Sequence, residues 1–203
     1  MTRPLPRLHA VTNHDILTLP DLAARAASIA GAGAGAVALH ARAGAVDAAR
    51  VIELARLLGE TGAAVLVNDR ADLVREVGAA GVHLPSAGLP VEAARLLLGP
   101  DAIVGCSTHS PDEARAAHAA GADYVFLGPI WETASHPARP PLGPDSIAAA
   151  QPATVIAIGG VTPERAALCR DAGAYGIAAI SALWLAADPG SATSEMLLCF
   201  RQQ

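Results

Sequence analysis

Two segments near the end of the sequence have the residues needed to bind an anion. Residues 154–160 (TVIAIGG) and 176–181 (GIAAIS) are apolar runs of strand length, and each ends in small residues before a loop and a helix. Glycine lets backbone N–H groups approach an anion, and the loops after strands 7 and 8 of a β/α barrel commonly bind a substrate phosphate. The pattern predicts a phosphate site at Gly159, Gly160, Ile180 and Ser181.

Other polar residues fall where predicted strands end, which is where the catalytic loops of a barrel lie. They are His40 and Arg42 following strand 2, Asn68 and Asp69 at the end of strand 3, His83 in strand 4, Ser107, Thr108 and His109 at the end of strand 5, and Trp131, Glu132 and Thr133 at the start of the loop after strand 6. The last three begin the longest predicted loop, residues 129–143, whose prolines suit a stiff lid or substrate wall. We therefore expect these candidate catalytic and binding residues to lie together at one end of the fold.

Eight apolar runs alternate with helical patterns along the chain. The predicted strands are residues 8–12, 36–40, 63–68, 81–84, 102–107, 124–128, 154–159 and 176–181. The predicted helices are residues 20–30, 47–60, 70–79, 90–98, 111–120, 144–150, 162–172 and 192–201. Continuously apolar strands in such a repeat imply a parallel sheet covered by helices, and eight repeats in this length favour an α/β fold of the (β/α)8 TIM-barrel type. An open doubly wound sheet is the alternative.

Composition limits the class of protein further. The chain has 203 residues, of which 52% are hydrophobic, and a formal net charge of −5. This length supports one large core, so we expect residues 1–203 to form a single domain. Charges are scattered without a basic stripe, no apolar stretch is long enough to span a bilayer, and neither a signal peptide nor metal-type cysteine spacing is evident. We expect a cytoplasmic protein that binds a small molecule, with no nucleic-acid or membrane partner.

Lysine is absent from the sequence, and all 14 basic residues are arginine. Catalysis through a lysine Schiff base is therefore excluded. Several other residues have ordinary structural interpretations. Cys106 fits a small buried residue, His83 fits a core or cavity-wall histidine, and His9, His14 and His118 have no spacing that suggests a site.

Seven segments in order resemble one known family, the thiamine phosphate synthase and TenI superfamily of barrels. They are LHAVT, VNDRADL, GVHLPS, VGCSTHSPDEA, DYVFLGPIWET, VIAIGGVTPER and GIAAISAL, and they extend over nearly the whole chain. The resemblance implies a barrel with a phosphorylated small-molecule substrate.

The sequence departs from the synthase branch of this superfamily at three places. Where the synthase pattern has Gln-x-Arg-x-Lys after strand 2, this chain has Ala38, His40 and Arg42. Asn68 and Asp69 of the magnesium-binding pattern are kept, but Gly88 stands where a second carboxylate belongs. A Thr-x-Thr-Lys run in loop 6 is replaced by Thr133, Ser135 and His136. Losing a carboxylate and two lysines removes stabilisation of a departing diphosphate.

These departures favour the TenI branch, whose members aromatise a thiazole carboxylate phosphate without metal or cofactor. The segment Leu84-Pro85-Ser86 also resembles that branch. The resemblance implies that His109 is the general acid/base, since histidine exchanges protons near neutral pH. It places Arg42 and His40 at the substrate carboxylate or ring. Asn68, Ser107 and Thr133 complete the predicted substrate-binding set.

Other interpretations remain open at this point. The chain could be a thiamine phosphate synthase, a Mg²⁺-dependent transferase that joins hydroxymethylpyrimidine diphosphate to thiazole phosphate, or a non-catalytic phosphate-binding or regulatory barrel. Asp69 could cap the next helix rather than bind metal, and His109 could simply belong to a helix-entry turn. Alanine-rich helix surfaces suggest a homodimer, the commonest oligomer.

Overall fold

The strands of the protein close into a parallel barrel in sequence order, β1 to β8, with β8 pairing β1. The computed structural model describes residues 4–43, 47–133 and 139–200. The strands are β1 Leu8–Val11, β2 Val37–Ala41, β3 Ala64–Asn68, β4 Gly81–Leu84, β5 Ile103–Thr108, β6 Tyr124–Leu127, β7 Val155–Ile158 and β8 Gly176–Ala179. The predicted (β/α)8 TIM barrel is therefore confirmed, and each strand lies within two residues of its predicted bounds.

Eight α-helices lie in the described part of the chain. They are α1 Leu22–Gly33, α2 Ala48–Gly59, α3 Val91–Leu98, α4 Pro111–Ala119, α5 Asp145–Ala149, α6 Pro163–Asp171, α7 Ser181–Trp184 and α8 Pro189–Leu198. Ser110 caps α4 by accepting from the Glu113 N–H, and Pro111 occupies the first turn. Within the described residues, no helix has the length and apolarity needed to cross a membrane.

The prediction of a helix over residues 70–79 is wrong. The chain there forms a 3-10 turn, Ala71–Leu73, followed by further turns up to Gly78 at φ +64. Asp69 has a positive φ of 64, and its side chain caps no helix, so the helix-cap interpretation of Asp69 is also wrong. A short link between β3 and β4 leaves too few residues for a full α-helix before the chain returns to the barrel.

The core has two layers because successive strand residues point to opposite faces. An outer layer between strands and helices is aliphatic, with residues such as Leu39, Val67 and Ile177. The barrel interior holds Leu66, Ile156, Tyr124 and Phe126. It also encloses three histidines, each at most 2% exposed, namely His9, His40 and His83.

Two strand glycines leave room for a neighbouring strand. A Cβ at Gly81 would lie 1.9 Å from the Ile103 carbonyl oxygen on the adjacent strand. A Cβ at Gly105 would lie 2.0 Å from Cζ of Tyr124, so only glycine lets that phenol occupy its place. By contrast, a Cβ at Gly31 on α1 would meet nothing within 4 Å.

We therefore expect opposite effects from two glycine-to-alanine changes. Gly81→Ala should destabilise the protein by about 3 kcal/mol because backbone atoms of β5 must move. Gly31→Ala should stabilise it by up to about 1 kcal/mol because alanine favours the helix and meets open space. Urea denaturation of both variants checks this. Equal effects would show that the close β4–β5 approach does not limit residue 81.

Candidate active site

A cavity of about 660 Å³ opens at the carboxyl ends of the strands. Its size suits a small ligand. Most of the predicted site residues line it: Arg42, Asn68, Ser107, His109, Thr133, Gly159, Gly160, Ile180 and Ser181. His40 is not among the described lining residues and is fully buried beside them. Ser135 and His136 lie outside the described residues.

The predicted phosphate-binding segments meet on one side of this cavity. Gly159 and Gly160 have φ values of +92 and +66, which favour glycine. Their Cα atoms also pack tightly, since a Cβ at Gly159 would be 2.6 Å from Cα of Pro129. Ile180 and Ser181 join β8 to the short helix α7. The two loops thus bring small residues and backbone N–H groups to one wall.

Arg165 is a cavity residue that the sequence interpretation missed. Its guanidinium donates to the Gly160 carbonyl oxygen at 2.7 Å and lies 5.1 Å from the ring centroid of Trp131. It therefore connects the loop after β7 with the loop after β6. The one available signal was Pro163 at the start of α6, which places residue 165 in the first helical turn beside the glycines.

His109 is held in place by two hydrogen bonds. Its Nδ1 lies 2.8 Å from the Gly128 carbonyl oxygen, and its backbone N–H donates to Glu113 Oε2 at 2.7 Å. A carbonyl oxygen only accepts, so Nδ1 carries a hydrogen and Nε2 is left to interact with a ligand. The helix-entry role and a chemical role are compatible, because the backbone and one ring nitrogen serve the fold.

A hydrogen-bonded chain of side chains runs through the barrel interior below the cavity. His9 Nε2 lies 3.2 Å from the Pro6 carbonyl oxygen, and His9 Nδ1 lies 2.8 Å from His40 Nε2. Burial lowers the pKa of His9 from 6.5 to about 3 and holds the pKa of His40 well below its ordinary value, so both rings are neutral. His9 therefore donates from Nε2, and His40 donates from Nε2 to His9.

The same chain fixes the orientation of the Asn68 amide. His40 Nδ1 has no hydrogen when Nε2 carries it, and it lies 3.2 Å from the atom placed as Asn68 Oδ1. Two acceptors cannot bond, whereas the amide rotated by half a turn donates its N–H to His40 Nδ1. In this orientation the Asn68 carbonyl oxygen is free for a ligand. His40 supports Asn68 from beneath the cavity.

A second interior chain joins His83 to the cavity wall. His83 Nδ1 lies 2.9 Å from the Tyr124 hydroxyl, and His83 Nε2 lies 2.9 Å from the Ser107 hydroxyl. Burial, together with neighbouring His9 and Arg42, keeps the pKa of His83 well below 6.5. His83 thus combines the core and cavity-wall positions that its sequence context suggested.

Acidic groups are sparse around the cavity. Among the described lining residues, Asp69 is the single carboxylate. No group of three or more His, Cys, Asp or Glu within the described ranges could hold a metal by protein ligands alone. A Cβ at Gly88 would lie 3.0 Å from Asp69 Oδ1, so a side chain at residue 88 would stand directly beside this carboxylate.

Cys106 is buried, as the sequence predicts, and burial raises the pKa of its thiol to about 11. The thiol is therefore not ionised at neutral pH and is not a nucleophile.

Arginines supply the positive charge at the cavity opening. Arg70 pairs with Asp72 through two hydrogen bonds, at 2.8 and 2.5 Å, while Arg42 is exposed at the end of β2.

The closed barrel, with small residues in the loops after β7 and β8, belongs to the class of (β/α)8 proteins, in which loops at these positions commonly bind the phosphate of a small-molecule substrate. The sequence profile of the TMP-TENI family, described as thiamine monophosphate synthase, matches residues 8–183. The chain therefore belongs to this family, and the resemblance seen in the sequence is confirmed.

Individual relatives define the branch more closely. A thiamine-phosphate synthase of Anaeromyxobacter dehalogenans is 46% identical over 177 residues, 83% of this chain and 79% of that protein. A thiamine biosynthesis bifunctional protein, ThiM/ThiE, of Symbiobacterium thermophilum is 49% identical over 154 residues, but these are 32% of its length, so this chain matches about a third of it. A solved thiamine phosphate pyrophosphorylase from Pyrococcus furiosus has a TM-score of 0.79 at 27% identity, with 95% of this chain and 94% of that chain covered.

These relatives overturn the prediction of a thiazole tautomerase-like isomerase. Relatives with nearly half their aligned residues identical are named thiamine-phosphate synthases, which are transferases. Ala38 and His40 lie inside β2, and only Arg42 follows the strand. Two of the three positions that differ from the synthase pattern after strand 2 are therefore buried inside the barrel.

The buried histidines make stability depend on pH. Because the folded-state pKa of His9 is lowered to about 3, its protonation favours the unfolded chain. The free energy of unfolding should be level above about pH 7 and should fall below about pH 6.5, by about 1 kcal/mol per pH unit for each buried histidine. Denaturation curves at pH 7.5, 6.5 and 5.5 measure this slope.

Matched variants identify the source of this pH dependence. His9→Gln removes one buried titrating group and should reduce the slope by roughly a third, given three such histidines. His14→Gln changes an exposed histidine and should leave the slope unchanged. A slope that is the same in the natural protein and in His9→Gln would contradict the neutral buried array.

Proposed function

We propose that this protein is a thiamine-phosphate synthase, a transferase that joins hydroxymethylpyrimidine diphosphate to thiazole phosphate. The similarity to relatives of that name over most of the chain carries the proposal. In the reaction, the carbon–oxygen bond to the diphosphate breaks and the diphosphate leaves with the electron pair. The thiazole nitrogen supplies the electron pair of the new carbon–nitrogen bond. Both substrates are phosphorylated small molecules.

The thiazole phosphate is placed at the wall formed after β7 and β8. Backbone N–H groups near Gly159, Gly160 and Ile180 and the Ser181 hydroxyl are suited to donate to its oxygens. Arg165 lies at the same wall and adds a positive charge. Holding this phosphate orients the thiazole ring across the cavity, where its nitrogen can approach the carbon that loses the diphosphate.

The diphosphate is placed near Arg42 and Asp69, at the ends of β2 and β3. A Mg²⁺ ion commonly keeps several waters and is completed by one or two carboxylates and substrate phosphates. Asp69 as the single described carboxylate of the cavity fits that mode, and Asp69 would hold the ion. When bound, Mg²⁺ neutralises charge that develops on the departing diphosphate. Arg42 and Thr133 are proposed to contact the same group.

His109 is proposed to act on the leaving group. With Nδ1 fixed by the Gly128 carbonyl, a proton on Nε2 can be donated to a diphosphate oxygen as the carbon–oxygen bond breaks. The transferred proton would offset part of the negative charge that develops on the departing diphosphate. Asn68 and Ser107 are proposed to hold a substrate ring.

A direct assay tests the proposal. The purified protein, given both substrates and Mg²⁺, should form thiamine phosphate and diphosphate in equal amounts. Asp69→Asn should lower kcat/KM by about a hundredfold or more, since removal of a metal ligand weakens charge stabilisation in the transition state. Asp101→Asn, at an exposed surface position, should match the natural protein. Absence of product from the natural protein at saturating Mg²⁺ would overturn the transferase assignment.

The proposed phosphate-binding wall after β7 and β8 leads to a second prediction. Ser181→Ala should raise KM for thiazole phosphate by about fivefold to tenfold, because one hydrogen bond to a charged group is lost. KM for the pyrimidine diphosphate and turnover of the unphosphorylated thiazole alcohol should not change. Ser194→Ala on α8 is the control. Equal changes for phosphorylated and unphosphorylated thiazole would place the phosphate elsewhere.

A further inference from the structure

The hydrogen bonds that join Tyr124, His83 and Ser107 all run in one donor-to-acceptor direction. Tyr124 is completely buried, and in the described part of the molecule its hydroxyl bonds only to His83 Nδ1. If His83 Nδ1 carried the hydrogen, the phenolic hydrogen would have no acceptor, which is costly inside a protein. The Tyr124 hydroxyl therefore donates to His83 Nδ1, and the ring hydrogen sits on Nε2.

This order determines what Ser107 can offer. His83 Nε2–H donates to Ser107 Oγ at 2.9 Å, so that oxygen already accepts one hydrogen bond from below. Ser107 is half-buried and lines the cavity. Its own hydroxyl hydrogen is then free to be donated into the cavity.

Aromatic rings and a strand glycine pack around the hydrogen-bonded residues Tyr124 and His83. The His83 ring lies 4.0 Å from the centroid of Phe126 and is stacked at 5.6 Å on Tyr124. Gly105 opens the space that the phenol fills, because any larger residue would overlap Cζ and the hydroxyl of Tyr124. A strand glycine, a buried phenol and a buried imidazole are thus arranged around one hydroxyl of the cavity wall.

We propose that Tyr124 and His83 are positioning residues that make Ser107 a hydrogen-bond donor toward an acceptor atom, such as an unprotonated ring nitrogen, on a substrate heterocycle. Neither residue touches the substrate. The role in catalysis rests on the proposed transferase function, whereas the direction of the chain is a property of the free protein.

Nuclear magnetic resonance tests the direction of the chain without any substrate. Nitrogen-15 shifts of the His83 ring should show the Nε2–H tautomer in the natural protein. Tyr124→Phe removes the donor to Nδ1, and a larger share of the Nδ1–H tautomer should result. A natural protein in which His83 carries its hydrogen on Nδ1 would overturn the proposal, whether or not the protein makes thiamine phosphate.

A double-mutant cycle tests the path through Ser107. Tyr124→Phe and Ser107→Ala should each lower kcat/KM by about fivefold to tenfold, which corresponds to the usual net contribution of one hydrogen bond. The double variant should be no slower than Ser107→Ala alone, because the effect of Tyr124 passes through the serine hydroxyl. Losses that simply multiply would show that Tyr124 acts by packing and would overturn the proposal.

Two further variants separate positioning from general stability. Tyr175→Phe removes the hydrogen bond that the hydroxyl of the half-buried Tyr175 donates to the Leu5 carbonyl oxygen at 2.8 Å. This change should leave kcat/KM unchanged. His83→Gln offers an acceptor to Tyr124 and a donor to Ser107, and should retain more activity than His83→Leu. Equal activity of these two His83 variants would contradict the proposal. An inactive natural protein with the expected His83 tautomer would instead refute the proposed transferase reaction.

Discussion

Polar groups enclosed within the barrel must satisfy one another, and the candidate site depends on this constraint. The interior of a β/α barrel is a packed core rather than a channel, so a buried imidazole has only its neighbours as partners. His9, His40 and His83 meet this demand with Pro6, Asn68, Tyr124 and Ser107. Because charged imidazoles are costly there, the rings stay neutral and each hydrogen has one best place. The hydrogen-bond directions of the buried histidines therefore set the orientation of Asn68 and Ser107 at the floor of the cavity.

The floor and the mouth of the cavity have different tasks. At the floor, Asn68 and Ser107 are held by buried rings and can present a fixed acceptor and a fixed donor. At the mouth, the glycine loops, Arg42 and Arg165 provide N–H groups and positive charge suited to phosphates. In a chain without lysine, arginine and histidine are the side chains that can supply positive charge. The proposed transferase reaction, with two phosphorylated substrates, would use both parts, one for orientation and one for charge.

The error about function has a physical explanation. Counting missing cations and carboxylates assumed that each motif position faces the substrate. His40 shows that this assumption fails, because it lies in β2 with its ring turned to His9 and Asn68. Gly88 is a genuine departure, yet Mg²⁺ can be held by a single carboxylate when substrate oxygens complete its shell. The number of side-chain ligands therefore did not discriminate between the two branches.

The eight strands and the position of His109 directly after β5 could be predicted from the sequence, because apolar runs of strand length are a local signal. The same local pattern placed Gly159, Gly160, Ile180 and Ser181 at the cavity. It also placed Cys106 in the core. It did not determine the short turns at residues 70–79, where the return to the barrel overrides helical pattern. Only the tertiary structure brought His9 to 2.8 Å from His40 and Tyr124 to 2.9 Å from His83. Such pairs join residues far apart in the chain, and their hydrogen-bond directions exist only once barrel closure removes water from between the strands.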